Sequence, residues 1–417
     1  MSSEKLLPVK SIHQCFHLIY ILLYHTGCLG CQIRNGKELY YDKWYKLYAY
    51  LYRLVYLTGL IGGFLYKIYD EELNEAMMGI LTPVVKTILT FECFICPISY
   101  VEVTFHLDWY RDKYVNLANT LQTLDEQLQR NFPGIEWNYH KSTRKYNPMT
   151  VGLYGFYTIV SCIYIFNIAH CTCGWISSTI LSICYSCVTG APAFAGFLFI
   201  GNMDMLRLRF RLIRKLLRQH LMNSQKKSRH LLVEDVAKFK QLESYFTQYS
   251  SLIVTLNQVF SVVSGSGLFH DFAITTSLGY LLCSKALDTK AKLREYIFVS
   301  LFMTPRIYKV ITTSMYGYAT QKERRNCCHE FIQIEYNFEK SELLRQPMEA
   351  FLHWRMHNNY RITVGKILNC NLSLIFLTLN SVVNYIMILI QLQFQQNNIV
   401  NRFLNNIDSI SKDAEVL

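Results

Sequence analysis

Apolar residues run in long stretches separated by charged ones. The first, 47–66, is interrupted only by Arg53; the second, 76–103, carries Lys86, Glu92 and Glu102. Residues 146–203 hold no Lys, Arg, Asp or Glu, and Cys171-Thr172-Cys173-Gly174 predicts a hairpin dividing that block into spans three and four. The fifth stretch, 250–284, has Asp271 beside His270; the sixth, 296–318, is predicted to break at Pro305 before Arg306 and Lys309; the seventh lies in the charge-free run 367–401. A hydrocarbon core of ~30 Å takes about 20 helical residues, so each stretch is long enough to cross a bilayer. Lipid leaves no partner for unpaired backbone groups, which selects helices over open strands. The short alternating strands of a membrane barrel are absent. The pattern predicts an all-α membrane protein of seven transmembrane helices.

Composition agrees. Among 417 residues, 51% are apolar and 17% charged, against roughly 25% charged in soluble domains. The net charge of +12 raises the question of nucleic acid, and its distribution answers it. With the N-terminus inside, the inner segments 1–43, 106–148, 202–248 and 319–366 hold thirty Lys and Arg, and the outer segments hold seven. That bias places the N-terminus in the cytoplasm and the C-terminus outside, the reverse of a G-protein-coupled receptor. The excess charge is topological, and a nucleic-acid partner is not expected. The short apolar stretch 16–24 predicts an interfacial helix leading into span one rather than a cleaved signal peptide.

Candidate chemistry is sparse. Three C-x-x-C pairs occur, Cys28/Cys31, Cys93/Cys96 and Cys184/Cys187. Two fall inside predicted spans, where i and i+3 merely share a helix face, so no metal site is expected. Cys171 and Cys173, in the outer hairpin, face an oxidising compartment and are open to pairing. His353 and His357 sit one helical turn apart without a nearby carboxylate and read as packing or solvated residues. Glycine loops for phosphate, metalloprotease and nucleophile-elbow motifs are missing, so no enzyme and no cofactor is expected. Repeat symmetry between halves, which a transporter would show, is not found.

Ionisable groups at membrane depth are costly and usually functional. Lys86 and Arg306 are candidates to neutralise Glu92 and Asp271 across helices; alternatively His270 and Asp271 line a wet ligand cavity. Residues 204–221 form a basic amphipathic helix with Leu206, Phe210, Ile213 and Leu217 at helical spacing. It suits acidic lipid or calmodulin, or else continues span four into the cytoplasm as a packing helix. In the last span Ser381, Asn384, Ile388, Gln391 and Gln395 follow steps of three and four and form one stripe. Such amides either join helices or line an aqueous pore, and periodicity leaves both open.

Residues 384–392, Asn-Tyr-Ile-Met-Ile-Leu-Ile-Gln-Leu, resemble the C-terminal signature of the insect gustatory receptors. That signature is Thr-Tyr, five hydrophobic residues and Gln-Phe. Tyr385 and Gln391 match it, while Asn384 replaces Thr and Leu392 replaces Phe. Gly365 to Leu374 also looks like the family's approach to this helix. The resemblance implies a ligand-gated, non-selective cation channel subunit in the plasma membrane of sensory neurons. It would work in a homo- or hetero-tetramer with other gustatory receptor subunits and would need no G protein. Gln391 and Leu392 would form the gate, with Ser381, Asn384, Ile388 and Gln395 along the conduit. A small-molecule tastant, bitter or otherwise aversive, would bind among spans two to six, near Tyr164, Phe166, Asn167, His170, Trp175, His270, Asp271, Tyr280, Phe298 and Phe302. An odorant receptor of the same superfamily is the alternative. The resulting organisation is a cytoplasmic segment 1–43, spans one to four in 44–203, and a cytoplasmic extension 204–249. Spans five and six follow in 250–318, an anchor segment in 319–366, the pore-lining helix in 367–395, and an extracellular tail 396–417.

Overall fold

The computed structural model describes residues 11–69, 83–135, 137–169, 175–219, 233–286, 293–337, 342–358 and 360–415. Where they are described, the apolar stretches fall on helix. The first is α3 (Tyr45–Tyr69), preceded by α1 (Ile12–Cys15), α2 (His17–His25) and the hairpin β1 (Cys31–Arg34) with β2 (Glu38–Tyr41). Next come α4 (Pro83–Trp109), α5 (Arg111–Asn131), α6 (Tyr139–Ala169) and α7 (Trp175–Leu217). The chain continues through α8 (Val233–Val259), α9 (Ser261–Ala286), α10 (Leu293–Asn337) and α11 (Glu342–His357). A second hairpin, β3 (Thr363–Val364) with β4 (Leu368–Asn369), leads into α12 (Leu372–Glu415).

α7 is the hub, packing on α3, α4, α6, α8, α9 and α10. Every residue from 188 to 206 of α7 is buried, whereas between Leu372 and Gln395 of α12 only Leu374 and Val382 are. The central helix is therefore enclosed by its own protomer, and the last one is not. Leu206, Phe210, Ile213 and Leu217 all lie in the core. The basic amphipathic segment is thus a packed continuation of α7, with Arg211 and Arg218 on its exposed side and Arg209 buried.

Four expectations need correction. Pro305 does not break the sixth stretch, because α10 runs through it. A helix tolerates the one lost donor when neighbouring helices hold it on both sides. The fifth stretch spans two helices, Glu234–Val259 and Ser261–Ser284, which meet at 55°. Phe260 N still bonds Leu256 O at 3.0 Å, and Ser264 N bonds Phe260 O at 2.9 Å, so the chain turns with little loss of backbone pairing. Residues 16–24 are packed into the protomer more deeply than a surface-lying helix requires. Phe16, Ile19, Tyr20 and Leu23 are buried, and α2 packs against α6 and α7, with the Tyr20 hydroxyl 2.8 Å from that of Tyr114.

The two hairpins, finally, qualify the all-α expectation. Asn35 and Gly36 both adopt left-handed φ, +52° and +67°, as do Gly365 and Lys366, each at +62°. Asn and Gly meet that demand at little steric cost. Asn119 secures the first hairpin by accepting from Leu39 N and donating to Leu39 O, each at 2.9 Å.

Candidate functional site: a mid-helix cavity and an uncovered last helix

Ridges of large side chains on α6, α7 and α10 leave a cavity of about 330 Å³. α6 contributes Met149, Gly152, Leu153 and Phe156; α7 contributes Ala193, Phe197 and Ile200; α10 contributes Thr304, Pro305, Arg306, Tyr308, Lys309 and Thr312. Asp271 of α9 closes the inner wall. Most of this lining is apolar. Thr304 and Thr312 spend their hydroxyl protons on their own helix, donating to the Ser300 and Tyr308 carbonyls at 2.7 and 2.8 Å.

Lys309 Nζ lies 2.8 Å from Asp271 Oδ2. The lysine stem reaches there through a gap that two glycines provide. A Cβ on Gly196 would stand 3.1 Å from Lys309 Cε, and one on Gly267 would stand 3.1 Å from Nζ. Asp271 Oδ1 is 3.8 Å from His270 Nδ1, and His270 Nε2 is 3.1 Å from Cys96 Sγ. Neutralisation of Asp271 thus comes from Lys309, one helical turn from the arginine that sequence reasoning chose. Spacing alone does not say which side of α10 faces α9. The Lys86 and Glu92 side chains lie outside the described residues.

On its far side Lys309 borders a second, much smaller gap of about 20 Å³, shared with Gly196, Asp271, Val364 of β3 and Leu374 of α12. Lys309 therefore lines both the cavity and a gap that reaches the first turn of the last helix.

Among the residues expected to bind a ligand, Asp271 lines the cavity and His270 packs behind it. Tyr280 does not line it. It is fully buried, and its hydroxyl donates to Gln393 Oε1 at 2.8 Å. The Tyr164, Phe166, Asn167, Trp175, Phe298 and Phe302 side chains and all of His170 lie outside the described residues. The cavity residues of α6 sit toward its Tyr139 end, away from that group. Sequence reasoning missed Phe156, Phe197 and Tyr308, whose only signal was membership of an apolar helix.

α12 touches its protomer along one edge. Leu374 and Val382 are buried, Tyr385 meets Phe272 edge-on at 5.6 Å, and Ile386 packs where Gly279 has no side chain. The stripe faces elsewhere. Ser381 is half-buried at its margin, and Asn384, Ile388, Gln391, Leu392 and Gln395 are exposed. Exposed beside them are Phe376, Leu377, Val383 and Met387.

Among the described residues no three His, Cys, Asp or Glu side chains converge as a metal site would require. Cys28 and Cys31 are buried, separate free thiols, and burial pushes Cys28 up to about 12. His353 and His357 lie against each other, ring centroids 4.6 Å apart and planes tilted by 47°. Cys93, Cys171 and Cys173 lie outside the described side chains.

Comparison with known proteins agrees with this architecture. The Drosophila melanogaster protein named gustatory receptor 47b is 32% identical over 407 residues, covering 97% of this chain and 95% of the relative. Gustatory receptor 57a of the same species is 25% identical over 401 residues, 93% of each chain. Two solved structures share the fold at 12% identity, both of the insect olfactory receptor OR5 from Machilis hrabei. The complex with eugenol superposes with a TM-score of 0.65 and the receptor without it with 0.62, each covering 91% of this chain and 98% of the other. The sequence model described as 7tm Chemosensory receptor matches residues 11–396. The chain belongs to that family of chemosensory receptors, which are multi-pass membrane proteins and not enzymes.

Proposed function

We propose that this protein is a gustatory receptor subunit of the plasma membrane of sensory neurons, acting as a ligand-gated, non-selective cation channel. Its N-terminus is cytoplasmic and its C-terminus external, as the basic-residue bias supports. The observation that carries the channel reading is α12. An apolar helix that buries only Leu374 and Val382 between Leu372 and Gln395 cannot leave Asn384, Gln391 and Gln395 against acyl chains without stranding their amides. Assembly of four subunits with these residues turned inward gives rings of amides around water, with Gln391 and Leu392 as the constriction.

The cavity beside Lys309 is the ligand site in this reading. Its apolar lining suits compact hydrophobic molecules of the bitter or otherwise aversive kind, since a sugar would need a polar partner for each hydroxyl. The related fold of OR5 holds eugenol, itself a small aromatic molecule. A ligand that fits better when Lys309 and Leu374 have shifted together favours the open state by its difference in affinity for the two states.

Patch recording from cells expressing the receptor, alone and with related subunits, tests the proposal across a panel of bitter compounds and sugars. The expected result is a bitter-evoked cation current that persists in excised membrane and reverses near zero. A response that disappears on excision, with receptor still at the surface, points to a soluble relay and overturns the channel. An external tag at the C-terminus should be labelled on intact cells; labelling only after permeabilisation refutes the orientation.

A further inference from the structure

We infer that the seam between α10 and α11 binds a phosphate-bearing anion through Arg324 and Arg355, at a site separate from the mid-helix cavity. The recognised group is a phosphomonoester, carried by a soluble polyphosphate or by a lipid headgroup.

Two contacts fix how the helices face each other. Phe331 of α10 meets Phe351 of α11 with ring centroids 4.9 Å apart. Farther up α10, Gln321 Nε2 donates to the Ile362 carbonyl at 3.3 Å. Positions 321, 324, 328 and 331 follow steps of three and four and share one face of α10, while 351 and 355 share one face of α11. Arg324 and Cys328 therefore lie in the seam between the two contacts, on the side of Arg355 and Tyr360. Tyr360 is held there by the Trp354 ring, centroids 5.8 Å apart, and its hydroxyl is spent on Asn358 Oδ1 at 3.1 Å.

This stretch of the seam holds cations without counter-charges. Arg324 Nε is sealed from water and has no hydrogen-bond partner among the described residues. Arg324, Arg325 and Arg355 make no ion pair with any described residue, because the carboxylates beside them on α10 are engaged toward α7. Glu323 pairs with Arg214 at 3.0 Å and Glu330 with Arg218. Glu349 of α11 lies about 120° around its helix from Arg355. Burial, with the charges of Arg325 and Arg355, holds Arg324 below its ordinary pKa. The groups that oppose this are Cys328 and Tyr360, a thiol and a phenol that are neutral near pH 7. A half-buried guanidinium next to a second one, among neutral neighbours, lacks the anion that would balance it. The planar fork of an arginine matches two phosphate oxygens. A phosphomonoester brings nearly two negative charges and three acceptor oxygens, enough for both arginines. In the orientation proposed above, Arg324 stands about 9 Å past residue 318 along the helix axis, within reach of cytoplasmic solutes and of inner headgroups.

The test uses the full-length receptor in nanodiscs of neutral phosphatidylcholine, which expose both faces, so the outcome depends neither on orientation nor on channel activity. The unfolding midpoint is followed as inositol hexakisphosphate is added. It is read again in discs doped with phosphatidylinositol bisphosphate or, at matched charge, with phosphatidylserine. At least one of the two phosphate sources should raise the midpoint, since a ligand of the folded state stabilises it, and phosphatidylserine should not. A rise with hexakisphosphate in neutral discs identifies a soluble ligand; a rise only with the bisphosphate lipid identifies a headgroup. Arg324→Met and Arg355→Gln should each weaken that binding by about tenfold or more, as loss of a charge-assisted contact warrants. Arg355 is exposed, so its variant carries the test even where Arg324→Met folds poorly. Lys141→Gln removes the same charge at an exposed position on α6 and should leave binding intact. No rise with either source, an equal rise with phosphatidylserine, binding undiminished in the arginine variants, or binding lost equally in Lys141→Gln each overturn the inference.

Discussion

Arg209 of α7 grips Asp125 of α5 with both arms of its guanidinium, and both side chains are sealed from water. Nε lies 3.1 Å from Oδ1 and Nη2 bonds Oδ2. The Tyr249 and Tyr139 hydroxyls each donate to the carboxylate at 2.9 Å. The Trp137 ring lies 4.7 Å from the guanidinium carbon. Burial works against the arginine's charge, but Asp125 more than offsets it and raises Arg209 above its ordinary pKa. Four helices, α5 to α8, are thereby fastened at one point in the segment read as cytoplasmic.

Breaking that pair from one side should be severe. Asp125→Asn leaves a buried guanidinium without its counter-charge and is expected to cost about 3–5 kcal/mol, seen as a lower unfolding midpoint of the purified receptor. Adding Arg209→Met should recover much of the loss, since an apolar pair of similar volume carries no desolvation cost. A single variant as stable as the wild type would show that the pair holds nothing.

Buried His13 and half-buried Glu243 respond to pH with opposite sign. Burial lowers His13 to about 4, with Asn119 opposing, and neither ring nitrogen has a well-formed hydrogen bond among the described residues. Unfolded, the imidazole titrates near 6.5, so its stabilising neutrality is complete above that pH. It is lost as pH falls toward 4, by on the order of 3 kcal/mol. Burial raises Glu243 to about 7, with Lys240 opposing. Its contribution is complete below the unfolded carboxylate pKa and is lost as pH rises through 7. His13→Leu should remove the acid-side loss and Glu243→Gln the loss toward neutrality. Unfolding midpoints between pH 4 and 8 read both; identical profiles for either variant and the wild type would refute the assignment of that residue.

Gly317 is where α10 meets the lead-in to the last helix. A Cβ there would fall 2.3 Å from Cys370 Sγ and 2.8 Å from the Cys370 carbonyl oxygen. Gln321 Nε2 holds the same lead-in by donating to Cys370 O at 3.0 Å and Ile362 O at 3.3 Å. Gly317→Ala must therefore push the start of α12 off α10. The expected cost is about 1–3 kcal/mol, with a shifted agonist concentration dependence in the proposed channel. An alanine variant with unchanged unfolding and unchanged dose response would show that this contact is slack.

The helices were legible because each stretch of the chain lacks charge over the length a bilayer demands, and Pro305 misled only because proline is costlier in an isolated helix than in a braced one. The hairpin at Asn35-Gly36 was legible too, since that dipeptide is the strongest local signal for such a turn. The Asp271 partner was not legible. Choosing Lys309 over Arg306 requires knowing how α9 and α10 face each other, and both sit in helices too uniformly apolar to reveal a face. Cavity residues such as Phe156 and Phe197 are hidden for the same reason, since a ring against a neighbour and a ring against a void have identical sequence. The stripe on α12 could be read only because its amides stand out from an apolar background.

Gln391 and Gln393 make the sharpest comparison on that helix. Gln393 accepts from the Tyr280 hydroxyl at 2.8 Å, inside the protomer, whereas Gln391 is exposed on the stripe with Asn384. Two positions apart on a helix, they point about 200° from each other. If the stripe faces a shared water column, Asn384→Cys and Gln391→Cys should let a charged thiol reagent applied in solution block the ligand-evoked current, while Gln393→Cys stays unmodified. Gln391→Ala should change conductance at normal surface density. Tyr280→Phe should leave conductance intact and cost about 1 kcal/mol of stability through the lost bond to Gln393. Reagent that modifies none of the stripe cysteines in the presence of agonist, or that reaches Gln393→Cys as readily as Gln391→Cys, would mean that the exposed face of α12 meets something other than water.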